Sequence, residues 1–241
     1  MPTLRLWVLA LLVSVTFAGC GGGGTADTDP RREPLAAPGT WVVIGSSSAA
    51  GVGAPPGQGW VGLLAAHWRP SGVVVEALAR VGLRTTQVLP LGTPVPPGAP
   101  GPVAAVNIEA AMARAPVMLV LSLPSNDAAA RVPAAQAVAH WQQIAGIAGE
   151  AGVPTLMLGT QPRGAFDAGQ REILAETDRL AVAAFGGCHV PLFDALAGPD
   201  GALAPELRST DGDHLNADGH ARVAARVNAV LAAGRCVRVQ R

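Results

Sequence analysis

Short, continuous apolar runs punctuate the chain, and each stops abruptly at small or polar residues. The runs occupy residues 41–44, 73–75, 117–121, 154–158 and, more briefly, 189–190. Runs rich in β-branched residues and bounded by Gly, Ser or Pro are typical of strands buried on both faces of a sheet. The pattern therefore predicts about five strands.

Between these runs the apolar residues switch to helical spacing. Helices are predicted over residues 60–68, 106–114, 133–152, 167–185 and 217–233, and the Pro- and Gly-rich residues 90–102 are predicted to be a loop. Strands that alternate with helices favour right-handed crossovers and a parallel sheet. We predict a three-layer α/β/α sandwich with a mostly parallel sheet, whose functional site lies beyond the carboxyl ends of the strands.

The N-terminal residues do not follow this pattern. Arg5 precedes an apolar run too short to span a bilayer, and Ala18-Gly19-Cys20 follows it. Residues 1–19 are thus predicted to be a signal peptide with a lipobox, and residues 20–39 a lipidated Cys20 and a flexible tether. The alternatives are an ordinary secretory signal with release to the periplasm, or an uncleaved anchor. In a Gram-negative cell, the absence of Asp directly after Cys20 favours the outer membrane.

Composition narrows the class of protein. The chain has 241 residues, of which 49% are hydrophobic, and no net charge, which suits one domain over residues 40–241. No basic stripe favours nucleic acid as a partner, and we predict a monomer without cofactor.

In an exported protein, Cys188 and Cys236 are predicted to form a disulfide; two free buried thiols are the alternative. No Cys/His spacing matches a metal site.

Four polar clusters carry the candidate chemistry. Asp211 and His214 lie three residues apart in a Gly-containing turn before the last helix, so the carboxylate can hold one ring nitrogen and leave the other for a nucleophile. Ser47 follows the first strand, Gly82 the second and Asn126 the third. They are a hydroxyl, a residue that lets a backbone N–H approach an oxyanion, and a neutral donor.

Together these clusters resemble the SGNH, or GDSL-like, hydrolase family, whose Ser, Gly, Asn and His blocks occur in this order. The matching segments are Gly45-Ser46-Ser47, Gly82, Ser125-Asn126-Asp127 and Asp211-Gly212-Asp213-His214. The resemblance implies that Ser47 is the nucleophile, His214 the general base and Asp211 its orienting partner. It also implies an oxyanion hole made by the N–H groups of Ser47 and Gly82 and the side chain of Asn126. Two positions depart from the family, because Ser46 stands where Asp is usual and Pro124 where Gly is common.

The resemblance implies a serine esterase that cleaves carboxylic esters of a small molecule or a glycan. Two alternatives stay open: a catalytically silent envelope lipoprotein that binds glycan, and an acyltransferase on the same fold. Taken singly, Ser47, Gly82 and Asn126 could each be turn residues. Gln161 and Arg163, after the fourth strand, shape either the substrate pocket or the fold. His67, His140 and His220 are predicted to be structural or solvated, and His189 is predicted to be buried. The five Trp are predicted to belong to the core; a sugar-stacking platform is the alternative.

Overall fold

The computed structural model describes residues 32–34, 37–123 and 125–239. The predicted signal peptide, Cys20 and Pro124 lie outside the described residues. Among the helices in the described ranges, none is long and apolar enough to cross a membrane.

Strands and helices alternate along the chain as predicted. The strands are β1 (Arg32–Pro34), β2 (Gly39–Gly45), β3 (Val73–Ala79), β4 (Met118–Ser122), β5 (Thr155–Leu158), β6 (His189–Val190) and β7 (Val237–Val239). The helices are α1 (Trp60–Trp68), α2 (Ile108–Met112), α3 (Asn126–Ala129), α4 (Ala134–Glu150), α5 (Ala168–Phe185), α6 (Phe193–Leu196) and α7 (Ala217–Ala232).

Five strands form one parallel sheet in the order β3-β2-β4-β5-β6. The predicted α/β fold is therefore confirmed. The direction in which successive strands are added to the sheet reverses between β2 and β4. The connections that follow these two strands therefore run in opposite directions, which opens a crevice at the carboxyl ends of the strands. The polar clusters of the sequence lie at this edge.

Alternating side chains of the strands build two cores. Trp41 and Val43 of β2 face a core that also holds Trp60 of α1 and Val223 and Val227 of α7. The intervening side chains of β2 face a second core, shared with α2, α4 and α5. Burial on both faces explains why the central strands lack polar alternation in the sequence.

The structure differs from the sequence prediction in β3, which is longer than predicted, and in β1, β7, α3 and α6, which were not predicted. Strand β3 continues to Ala79, beyond the apolar run of residues 73–75, because it lies at the sheet edge and leaves Glu76 exposed. Residues 32–34, within the predicted tether, form β1, which pairs antiparallel with β7. Backbone pairing requires no apolar run, so the hydrophobic pattern did not indicate this strand.

The predicted disulfide is present and joins Cys188 to Cys236. It links the start of β6 to the segment that follows α7, across 48 residues of sequence. The bond therefore holds the C-terminal segment against the last strand of the parallel sheet.

Candidate active site

The chain turns sharply at the carboxyl end of β2, and Ser47 lies in that turn. At Gly45 a Cβ would lie 2.3 Å from the Cβ of Ala49 and 3.1 Å from the carbonyl oxygen of Ser122, so only glycine fits. The N–H of Ser46 donates to the same carbonyl at 3.3 Å, which ties the turn to β4. Ser47 is half-buried, whereas the serines on either side are buried. Its hydroxyl is therefore the one most open to a substrate.

Asp211 organises the turn that carries His214. Its Oδ1 accepts hydrogen bonds from the Ser209 hydroxyl at 2.6 Å and from the backbone N–H groups of Asp213 and His214 at 2.8 and 2.9 Å. Its Oδ2 lies 2.7 Å from Nδ1 of His214. The N–H of His214, then the Ser209 hydroxyl and the N–H of Asp213, hold the pKa of Asp211 far below its ordinary value. Asp211 therefore stays ionised.

Ser47 and His214 meet at the rim of the sheet although 167 residues separate them in the sequence. The Nε2 atom of His214 lies 3.0 Å from Oγ of Ser47. Because Oδ2 of ionised Asp211 can only accept, Nδ1 carries the ring proton and Nε2 presents its lone pair to the hydroxyl. The ring is thus arranged to take the Ser47 proton.

The loop after Ser47 packs closely against the histidine turn. Gly53 has φ +93°, and a Cβ there would lie 2.2 Å from the carbonyl oxygen of Leu215 and 3.2 Å from the Cβ of His214. Gly57, in the same loop, has φ +79° but no atom within 4 Å of its would-be Cβ. The loop position at Gly53 therefore limits where the His214 ring can sit.

A second histidine holds the loop after Ser47 in place. His220 of α7 is fully buried; its Nδ1 accepts from the N–H of Trp60 at 3.2 Å, and its Nε2 donates to the carbonyl of Val52 at 3.1 Å. Burial lowers the pKa of His220, and the nearby His214 acts in the same direction. His220 therefore serves as a neutral structural bridge, in agreement with a structural assignment from sequence.

The three groups expected to form an oxyanion hole are the N–H of Ser47, after β2, the N–H of Gly82, after β3, and the side-chain amide of Asn126, after β4. Within the described ranges, the backbone N–H groups of Ser47 and Gly82 donate to no other group. Gly82 has φ +77°, and a Cβ at this position would meet nothing within 4 Å. Asn126 uses one side-chain N–H for the carbonyl of Leu83 at 2.9 Å, and an amide nitrogen carries two. Each candidate group thus retains a donor.

Arg163 connects the loop after β5 to the histidine turn and to the Asn126 loop. Its Nε donates to Oδ2 of Asp213 at 2.6 Å, and its Nη2 pairs with the same carboxylate. Its Nη1 lies 3.4 Å from Oδ1 of Asn126. The guanidinium also lies over the ring of Phe166, 5.2 Å from its centre. One side chain therefore joins the histidine turn to the Asn126 loop.

A buried network fixes the Asn126 loop from the opposite side. Asp127 accepts from the N–H of Thr85 at 3.2 Å and from the Thr85 hydroxyl, which itself accepts from Nε1 of Trp141 at 2.9 Å. Burial raises the pKa of Asp127, while the hydrogen bonds from Thr85 act against the rise. The network ties the turn after Gly82 to the residue that follows Asn126.

A small, largely polar cavity lies at this junction. It encloses about 20 Å³, room for little more than one water molecule. Its lining residues are Ser46, Ser47, Ser48, Ser125, Gln161, Pro162, Arg163, Asp213, His214 and Leu215. A larger groove of about 450 Å³ runs along α5 and shares none of these residues. Among the described residues, no three His, Cys, Asp or Glu side chains gather in a way that could hold a metal ion.

The sequence of the chain also matches a known family. Residues 43–222 match the GDSL-like lipase/acylhydrolase family, which covers most of the chain. The chain belongs to this family. Family membership supports an acyl hydrolase activity, and the matched segment contains Ser47, Gly82, Asn126, Asp211 and His214. No curated protein sequence matches the chain.

Solved structures share the fold of this GDSL-like protein. TesA is 21% identical, with a TM-score of 0.62 and coverage of 81% of this chain and 99% of TesA. The esterase EstA from Pseudoalteromonas sp., inhibited by monoethylphosphonate, is 13% identical, with a TM-score of 0.59 and coverage of 80% and 97%. The acetyl xylan esterase AlAXEase is 14% identical, with a TM-score of 0.57 and coverage of 79% and 98%. At these identities the likeness shows the fold alone.

The sequence pattern indicated no role for Asp213 and left the role of Arg163 open between the substrate pocket and the fold. The structure brings them together although 50 residues separate them, and no local pattern pairs positions so far apart. The available signals were an acidic residue inside the Asp-Gly-Asp-His turn and an Arg just beyond β5. Only the arrangement of the loops at the sheet edge joins the two.

Proposed function

We propose that this GDSL-like protein is a serine esterase that hydrolyses carboxylic esters through an acyl-enzyme. The observation that carries the proposal is the contact of 3.0 Å between Oγ of Ser47 and Nε2 of His214, with Asp211 on the other ring nitrogen at 2.7 Å. Nucleophile, base and orienting carboxylate in one line are what acyl transfer to a hydroxyl requires.

In the acylation step, Oγ of Ser47 bonds to the ester carbonyl carbon while Nε2 of His214 takes the hydroxyl proton. The carbonyl oxygen becomes an anion, which the N–H groups of Ser47 and Gly82 and the amide of Asn126 stabilise; each such donor typically contributes about 10²–10³ in rate. The carbon–oxygen bond to the alcohol then breaks, and the imidazolium returns its proton to the departing oxygen. Asp211, held as an anion, balances the positive charge of the ring.

Deacylation repeats the sequence with water as the nucleophile. His214 takes a proton from water as the water oxygen bonds to the acyl carbon, and the same donors hold the second oxyanion. The bond to Oγ of Ser47 breaks, the serine regains its proton from His214, and a carboxylic acid leaves. No co-reactant other than water is needed.

The size of the cavity beside Ser47 supports short acyl groups as substrates. About 20 Å³ accommodates a group of roughly methyl or water size. On p-nitrophenyl esters, kcat/KM should be highest for acetate and fall by at least tenfold at octanoate. A rate that rises steadily with chain length would reject this part of the proposal.

The decisive test is Ser47→Ala. The variant should lose hydrolysis of p-nitrophenyl acetate while keeping the thermal midpoint of the wild type, and a fluorophosphonate probe should label the wild type alone. Ser71→Ala changes an exposed serine outside the cavity lining and should keep the wild-type rate, which tests whether the effect is specific to Ser47. Wild-type rates in Ser47→Ala would reject the esterase. A folded wild type that neither labels nor hydrolyses any ester would favour a silent glycan-binding lipoprotein, and transfer to an added alcohol in preference to water would favour an acyltransferase.

We infer further that Cys20 is lipidated and holds the esterase at the cell envelope. The inference is supported by the apolar segment and the small residues before Cys20 and by the Gly-rich residues after it. In a Gram-negative host, the wild type should fractionate with the outer membrane and Cys20→Ser with the soluble periplasm. Equal distribution of the two proteins would reject lipid anchoring.

A further inference from the structure

We propose that Arg163 is a positioning residue for the esterase reaction, which acts by fixing the orientation of the Asn126 side-chain amide. The inference rests on the proposed function, because it concerns how one oxyanion donor is aimed. It adds a residue from the loop after β5 to a site otherwise built from the Ser, Gly, Asn and His segments.

An amide side chain has two orientations of nearly equal shape that exchange its oxygen and its nitrogen. At Asn126 the two neighbours are of opposite kind: the carbonyl of Leu83 accepts from Nδ2 at 2.9 Å, and Nη1 of Arg163 faces Oδ1 at 3.4 Å. In the reverse orientation, oxygen would oppose oxygen and donor would oppose donor. Arg163 and Leu83 together therefore select the orientation that leaves a free N–H on Nδ2.

The position of Arg163 is itself held by several contacts. Its Nε donates to Asp213 at 2.6 Å, its Nη2 pairs with the same carboxylate, and its plane lies over Phe166. The side chains of Arg163 and Asp213 are 24% and 16% exposed, so water screens the pair less than it screens a surface pair. A fork with one arm on a carboxylate and one on an amide is a geometry that Arg provides and Lys does not.

Two other roles for Arg163 make different predictions. If its charge stabilised the oxyanion directly, its effect would not need Asn126. If it only held loops together, its loss would lower stability and raise KM without acting through one donor. A double-mutant cycle with Asn126 separates these roles from the proposed one.

The experiment measures kcat and KM for p-nitrophenyl acetate in Arg163→Met, Asn126→Ala and the double variant. Arg163→Met should lower kcat about tenfold with KM unchanged within about twofold, and Asn126→Ala should lower kcat about 10²–10³-fold. The double variant should match Asn126→Ala within about twofold, because without the amide there is nothing to orient. Independent losses that multiply would overturn the proposal.

Two further variants keep the test decisive. Arg163→Lys retains the cation but not the fork, so it should also lower kcat and lose its effect in the Asn126→Ala background; wild-type kcat in a folded Arg163→Lys would overturn the proposal even if Arg163→Met did not fold. Arg179→Met breaks an exposed Arg–Glu pair on α5, with Arg179 67% exposed, and should leave kcat unchanged. If Ser47→Ala lost all activity while the effects of the Arg163 and Asn126 variants multiplied, the positioning role would be rejected and the esterase assignment would stand.

Discussion

Replacing Asp211 by Asn should remove most of the esterase activity, and the structure indicates how the loss arises. Asn keeps the shape of the side chain but replaces one oxygen with a donor. Two backbone N–H groups, from Asp213 and His214, donate to Oδ1 of Asp211, so an oxygen must stay at that position. The amide nitrogen of the variant must then face Nδ1 of His214, so Nδ1 becomes the acceptor and Nε2 carries the proton. In that tautomer His214 cannot take the proton of Ser47.

The expected magnitude has two parts. Opposite charges about 4 Å apart attract by about 1 kcal/mol in water and about 4 kcal/mol near a protein surface, which corresponds to about fivefold to 10³-fold in rate. The Asp211 side chain is 46% exposed, so charge alone should account for the lower half of that range. The forced tautomer lowers the rate further, because the ring proton of His214 must move from Nε2 to Nδ1 before Nε2 can take the proton of Ser47. We expect kcat/KM to fall by about 10³-fold.

The assay is hydrolysis of p-nitrophenyl acetate at neutral pH, with the thermal midpoint recorded for each variant. Asp218→Asn, an exposed Asp in the first turn of α7, is the matched control and should keep wild-type activity. If folded Asp211→Asn retained more than a tenth of wild-type kcat/KM, the assignment of Asp211 as the group that sets the His214 tautomer would be wrong.

Three further perturbations test the packing at the site and the stability of the fold. Gly53→Ala should lower kcat at least tenfold, since the added methyl collides with the histidine turn, whereas Gly57→Ala has similar φ and open space and should change kcat little; equal kcat values would contradict the proposed packing. Burial lowers the pKa of His220 below the ordinary 6.5, so the unfolded chain binds the proton more readily and the free energy of unfolding should decrease as pH falls below about 6.5. Urea denaturation at pH 7.5 and 5.5 should show a smaller decrease in His220→Gln, and the same decrease in both proteins would refute the assignment. Reduction of the Cys188–Cys236 bond, which spans 48 residues, should lower the free energy of unfolding by about 4 kcal/mol, and an unchanged urea midpoint would contradict this.

The fold was predictable because its signals are local. The β2, β4 and β5 strands are buried on both faces, so their sequences are short, largely apolar runs bounded by Gly, Ser or Pro. The limits of β3 were harder to predict, because an edge strand exposes part of its length and loses the apolar pattern there. The short β1 and β7 strands pair through backbone groups, which carry no sequence signature.

Much of the candidate site was also indicated by short segments. Asp211 and His214 share one turn, and the spacing of three residues by itself brings the carboxylate to the ring. The approach of Ser47 to His214 required the further inference that both lie at the same edge of a parallel sheet. That inference followed from the alternation of strands and helices, not from either residue.

The sequence alone determined the order of the five parallel strands and of the main helices between them, the residues at the strand ends and the turn that joins Asp211 to His214, because each depends on neighbours within a few positions. Only the tertiary structure decided that Arg163 joins Asp213 to Asn126, that Asp127 binds Thr85, and how little space lies beside Ser47. These contacts join residues 37 to 50 positions apart. Such contacts depend on how separate loops meet at one sheet edge, and no short stretch of the sequence contains both partners of a contact.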